Sequence, residues 1–209
     1  MIVPSRLYRP SLALLTDFYE LTMAAAAWRS GADAKQAVFT LTYRKKPFAG
    51  GYTVAAGLAD AIDFIEHYRF DEEDLAWLAE QRGADGAPIF DAAFLDRLRK
   101  LEMDVDVDAM PEGTVCFPQE PLIRVRGPII PCMLLETALL TLVNFQTLVA
   151  TKAARVALAA RGEPVLEFGL RRAQGIDGGL AASRAAYIGG CAATSNALAG
   201  RLLGIPARG

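Results

Sequence analysis

After Gly162 the chain alternates short apolar runs with helix-forming stretches, and no other feature narrows its fold as much. Val165 to Gly169 (VLEFG) reads as a buried strand between two glycines. A glycine-rich loop follows, then a helix near Leu180 to Ala186. Tyr187 to Gly190 reads as a second short strand, Asn196 to Leu203 as a helix, and Ile205 with Pro206 as the opening of a third strand. Strand and helix alternating at this spacing build βα units on a parallel sheet. Two units and the start of a third do not close a barrel, so the expectation is a domain cut short at Gly209.

Upstream the pattern is mixed. Thr16 or Asp17 caps a helix through Phe18, Leu21 and Met23 to Trp28, ended by Gly31. Ala37 to Tyr43 (AVFTLTY) alternates as a strand, and Arg44 to Tyr52 (RKKPFAGGY) reads as a loop. Three helices follow: Thr53 to Tyr68, one capped by Asp71, and one capped by Asp91. Short strands come next at Val105 to Asp108, Thr114 to Phe117 and Leu122 to Val125. From Pro131 a long helix runs to about Ala160. The fold class is therefore α/β: an α+β domain over 1–130, a connecting helix over 131–162, and the first part of an α/β barrel over 163–209.

Composition enters as a set of exclusions. A formal charge of -2 gives no basic field for nucleic acid. Cys116, Cys132 and Cys191 are odd in number and widely spaced, with neither metal-ligand nor disulfide spacing, which points to reduced, buried thiols in a cytoplasmic protein. The apolar stretch from Cys132 to Ala160 is interrupted by Glu136, Asn144, Gln146, Lys152 and Arg155, which argues against a membrane span. The single histidine, His67, lies on an amphipathic helix with nothing nearby to complete a catalytic arrangement.

In βα architectures, ligands gather at the C-terminal strand ends. Two such places occur here. The first, Glu167-Phe168-Gly169-Leu170-Arg171-Arg172, offers an aromatic face and an anion-binding guanidinium. The second, Gly189 to Asn196, places the hydroxyls of Thr194 and Ser195 before a helix, where an anion is favoured and where Ser195 would equally serve as an ordinary cap. Consecutive βα units open on one face, so the two loops point to a shared anionic ligand without naming it.

The wider motifs give it a name. TDFYELTM (16–23), RKKPFAGGY (44–52), EFGLRRAQ (167–174) followed by DGG, and TSNALAG (194–200) closely resemble segments of nicotinate phosphoribosyltransferases, in that family's order and near its spacing. The resemblance covers essentially the whole chain and implies that it corresponds to roughly the first half of a family member. It implies the type II phosphoribosyltransferase α/β barrel and transfer of phosphoribosyl from PRPP to nicotinate, releasing diphosphate, in NAD salvage. It further implies ATP hydrolysis coupled through a phosphorylated histidine and Mg²⁺ accompanying the phosphates. That histidine would lie beyond Gly209, leaving the catalytic residue itself unassigned, and no metal ligand is assigned.

Carried over residue by residue, Phe168 and Tyr19 resemble the aromatic pair that sandwiches the pyridine ring, with Tyr19 supplied by the partner of a homodimer. Arg171 resembles a substrate-binding arginine, and Arg44 a phosphate contact at the subunit interface. Thr194 and Ser195 resemble substrate contacts. At position 195 the nicotinamide-using relatives carry Asp, so Ser195 implies a preference for nicotinate. Where the family commonly has Phe-Asp-Gly before Thr194, this chain has Cys191-Ala192-Ala193. The alternatives are a nicotinamide or quinolinate phosphoribosyltransferase and a non-catalytic truncated paralogue that dimerises with a full-length enzyme. Quinolinate, with two carboxylates, calls for a more basic pocket than Arg171 and Arg172 supply.

Overall fold

The computed structural model describes residues 11–209. Its elements, in chain order, begin with α1 (Phe18–Arg29), β1 (Gln36–Leu41), β2 (Thr53–Val54), α2 (Leu58–Glu66), α3 (Glu72–Ala79) and α4 (Ala92–Arg99). There follow β3 (Asp106–Ala109), β4 (Val115–Cys116), β5 (Ile123–Pro128), α5 (Ile129–Leu134) and α6 (Glu136–Ala159). The last are β6 (Leu166–Glu167), α7 (Gly175–Ile188), β7 (Ala193–Thr194) and α8 (Ala197–Leu203). The chain divides into two compact units whose segments interleave: 1–39, 60–108 and 124–140 in one, and 40–59, 109–123 and 141–209 in the other.

In the first unit α1 packs on α5, and α3 packs on α4. Leu21, Ala24 and Ala25 of α1 are buried, as are Leu75, Leu78, Phe94 and Leu98 of α3 and α4. Phe18 meets Trp77 and Phe90 edge to face, adding directional contact to this burial. Local capping chemistry decides where α3 and α4 start. The Asp71 carboxylate accepts the Asp74 N–H at 2.8 Å within a reciprocal capping box, and the Asp91 carboxylate accepts the Phe94 N–H at 2.8 Å. Asp17 occupies the N-cap position of α1 without capping it; its carboxylate accepts the Thr137 hydroxyl instead. A three-stranded sheet of order β1-β5-β3 completes the layer.

In the second unit β2 pairs antiparallel with β4, with Thr53 opposite Cys116 and Val54 opposite Val115. The helix expected from Thr53 thus starts only at Leu58. Gly57 sits at φ +98°, and a side chain there would lie 2.7 Å from the Leu142 carbonyl, so the chain turns where only glycine fits. β2 and its exit are fastened to α6 by two hydroxyls: Thr151 Oγ1 accepts the Val54 N–H at 2.9 Å, and Thr147 Oγ1 accepts the Ala56 N–H at 3.2 Å. These bonds explain why 40–59 belongs with the later part of the chain.

By length and apolarity the stretch Ile129–Ala159 could cross a membrane, but 56% of its most apolar window is buried inside the protein. Its buried polar residues are used internally, Thr147 and Thr151 on β2 and Gln146 on Arg184. A core helix has this character. Against it lie small residues of α7: Ala185 joins Val54, Ala56 and Ala150, while Ala186 and Cys191 join Ala153. A side chain at Gly189 would collide with the Ala150 carbonyl. All three cysteines are free and buried; burial raises each thiol pKa, in line with inert packing roles.

Glu112 is the main polar tie of this unit. It accepts the Gly57 and Leu58 N–H groups at 2.7 and 3.0 Å and pairs with Arg184 at 2.5 Å. Burial works to raise its pKa, but the Arg184 hydrogen bond and the two amides win, and the net shift is downward. Its contribution is therefore complete above the unfolded carboxyl value of about 4.3 and is lost as pH falls through the folded one. Arg184→Leu is expected to cost about 3 kcal/mol at pH 7, because it leaves a partly buried carboxylate without its cation. Urea unfolding at pH 7 and pH 3 tests this: the gap between wild type and variant should shrink at pH 3, and an equal gap at both would contradict it.

Candidate substrate-binding site

β6 and β7 are parallel neighbours, with Leu166 opposite Ala193 and Glu167 opposite Thr194. A further parallel bridge joins Thr194 to Ala207, so three strand ends lie side by side. The parallel sheet is as expected, but two elements differ from the sequence reading. Tyr187 and Ile188 are the last turn of α7 and not a strand, and the second strand is Ala193–Thr194. The glycine-rich segment is itself the first turn of α7, which begins at Gly175 with φ +86°.

The residues that leave these strands carry the candidate chemistry. Phe168 follows β6 directly and is 47% exposed, a large ring facing solvent next to a strand end. Ser195 follows β7 directly, is exposed, and donates its backbone N–H to the Glu167 carbonyl at 2.9 Å. Phe168 and Ser195 are therefore adjacent in register. Leu170–Arg172 form a 3-10 turn, closed by Arg172 N–H to Gly169 O at 2.8 Å. In that turn Arg172 also reaches back to the Phe168 carbonyl at 3.5 Å, whereas Arg171 is exposed and has no hydrogen-bond or ion-pair partner among the described residues. An aromatic face, a free guanidinium and a free hydroxyl thus share one edge, which suits a flat ring carrying a carboxylate.

Thr194 stands opposite Glu167 across the two strands. It is fully buried, and its hydroxyl donates to Glu167 at 2.6 Å, so it stands behind the edge and not on it. Ser195 is likewise not the cap of α8; Asn196 is, accepting the Ala199 N–H. Glu167, Ser183 and Asn196 escaped the sequence reading as functional residues. Their signal was three polar side chains set in a segment of mostly small and apolar residues.

Tyr19 belongs to the first unit, on the outer face of α1, and is 49% exposed. Its hydroxyl pKa is pushed up to about 12, first by the neighbouring Glu20 carboxyl and then by burial and the charges of Glu136 and Asp17. Glu20 itself is buried, and that burial raises its pKa against the lowering contact with Tyr19. Arg44 is an exposed cation of the second unit, in the loop before Pro47–Ala49. The loop is held in an unusual shape: Phe48 and Ala49 take φ of 56° and 51°. Arg155 donates to the Phe48 carbonyl at 2.6 Å, and the Lys152 ammonium sits 4.8 Å over the Phe48 ring. His67, in the first unit, pairs with Asp63 and is exposed.

Residues 14–144 match the model of the nicotinate phosphoribosyltransferase (NAPRTase) N-terminal domain. A nicotinate phosphoribosyltransferase of Dictyostelium discoideum is 50% identical over 198 residues, covering 94% of this chain and 33% of the relative. The Homo sapiens nicotinate phosphoribosyltransferase is 47% identical over 198 residues, 94% of this chain and 36% of the relative. The crystal structure of human nicotinic acid phosphoribosyltransferase superposes with a TM-score of 0.85 at 46% identity, covering 93% of this chain and 38% of that one. The nicotinate-nucleotide pyrophosphorylase of Pyrococcus furiosus follows with a TM-score of 0.68 at 25% identity, over 100% of this chain and 43% of that one. The chain spans about a third of the length of the curated relatives it matches. From motif, strand-end geometry and these likenesses together, the chain belongs to the nicotinate phosphoribosyltransferase family.

Proposed function

We propose that this chain supplies the nicotinate-binding edge of an enzyme that transfers phosphoribosyl from PRPP to nicotinate, giving nicotinate mononucleotide and diphosphate in NAD salvage. The observation that carries this reading is the register of β6 and β7, which sets Phe168, with Arg171 in the turn after it, beside Ser195. In this reading the pyridine ring lies on Phe168, Arg171 and the Ser195 hydroxyl take its carboxylate, and the ring nitrogen is left open to the ribosyl carbon. Tyr19 completes the sandwich from the partner of a homodimer, and Arg44 holds a phosphate. Thr194 serves from behind, through Glu167. The enzyme works in the cytoplasm, with transfer coupled to ATP hydrolysis.

Bond cleavage at the ribosyl carbon develops positive charge there, and this segment's part is to hold the nucleophile in line. In this reading Mg²⁺ accompanies the phosphates of the substrates. The test is an assay of the full-length natural protein with nicotinate, PRPP, Mg²⁺ and ATP, followed by chromatography of the nucleotide formed. Nicotinate mononucleotide is the expected product, and diphosphate should appear with it. Turnover of nicotinamide or quinolinate in preference to nicotinate would overturn the reading, as would no turnover at all.

A further inference from the structure

We propose that Glu167 is a positioning residue that fixes Phe168 and Ser195 relative to each other, by collecting hydrogen bonds from three separate segments; this rests on reading those two residues as ligand contacts. The bond directions follow from the donor and acceptor inventory. Asn196 Oδ1 accepts the Ala199 N–H at 3.3 Å, so its amide NH₂ faces Ser183 Oγ at 3.1 Å and the Gly179 carbonyl at 3.4 Å. Ser183 is thereby an acceptor from Asn196, and its own proton is shared between Glu167 Oε2 at 3.1 Å and the Gly179 carbonyl at 3.0 Å. Thr194 Oγ1 accepts the Asn196 N–H at 3.0 Å, which sends its single proton to Glu167 Oε2 at 2.6 Å. The other carboxylate oxygen, Oε1, accepts the Gly169 N–H.

Three donors, from the loop after β6, the end of β7 and the middle of α7, thus converge on one carboxylate. Phe168 lies between Glu167 and Gly169, the two ends of one of these bonds. Ser195 lies between Thr194 and Asn196, both members of the same net and both buried. Each exposed ligand residue is pinned on both sides, while its own side chain stays outside the net. A glutamine at 167 offers one oxygen where three groups donate, so its NH₂ must confront a donor.

The test uses Glu167→Gln, Thr194→Val, which removes the hydroxyl at constant shape, and Thr194→Ser, which keeps it. In the unliganded protein, amide hydrogen exchange over 166–172 and 193–197 should quicken at least tenfold in the first two and stay within twofold of wild type in the third. In turnover, Glu167→Gln and Thr194→Val should raise the KM for nicotinate tenfold or more, with the KM for PRPP within threefold and Thr194→Ser close to wild type. Unchanged exchange would overturn the proposal, as would Thr194→Ser behaving like Thr194→Val, or a fall in kcat with the nicotinate KM unmoved. If Glu167→Gln does not accumulate as folded protein, the Thr194 pair decides. A wild type that ignores nicotinate would defeat the proposed function alone, since the exchange rates still judge Glu167.

Discussion

Ser195→Asp in the full-length natural protein is expected to raise the KM for nicotinate roughly a hundredfold or more and to shift preference toward nicotinamide. The position is exposed at the end of β7, one residue outside the buried net, so a change of side chain there reaches the ligand without unpicking the fold. A serine hydroxyl can donate to a carboxylate. An aspartate in the same place sets like charges together in a partly desolvated site, at a cost of about 3 kcal/mol or more, and each 1.4 kcal/mol is tenfold. Toward nicotinamide the sign reverses, because the aspartate accepts from the carboxamide NH₂. Competitive assays of the two bases read the ratio directly. Parallel loss toward both bases would mean that position 195 does not face the ring substituent.

Phe168→Ala should weaken nicotinate binding by about 1–3 kcal/mol, roughly fivefold to somewhat over a hundredfold in KM, since it removes one face of the stack. The ring is 47% exposed and makes no aromatic contact among the described residues, so truncation empties a surface and not a core. Phe168→Tyr keeps a flat ring at the same place and should stay within a few-fold of wild type. Thermal unfolding separates the explanations: Phe168→Ala should melt within a degree or two of wild type, because surface truncation has little effect on stability. A large drop in melting temperature with unchanged KM would assign Phe168 to packing.

How far the sequence disclosed this depends on the range of the interactions involved. Asp71 and Asp91 were legible as caps because the bonds they make close within three residues. Thr53 and Val54 were drawn into a helix by the apolar spacing of Leu58, Ile62 and Ile65, whereas their pairing with Cys116 and Val115 is settled more than sixty residues away. Tyr187 and Ile188, apolar and followed by two glycines, carried the local pattern of a strand; what keeps them helical is α7 lying on the small residues of α6. In the site, Phe168, Arg171 and Ser195 were visible through motif resemblance, and the register of β6 and β7 brings the segments that carry them together. Thr194 and Glu167 show the limit: a hydroxyl in a motif reads alike whether it touches ligand or supports the residue that does. Only burial separates the two.

A flat heteroaromatic acid is expected to lie on the edge made by the ends of β6 and β7. A crystal structure of the protein with nicotinate bound tests it most directly. The pyridine ring is expected within stacking distance of Phe168, with its carboxylate in hydrogen-bond reach of Arg171 or Ser195. Nicotinate bound at another surface, with Phe168 and Ser195 untouched, would contradict it.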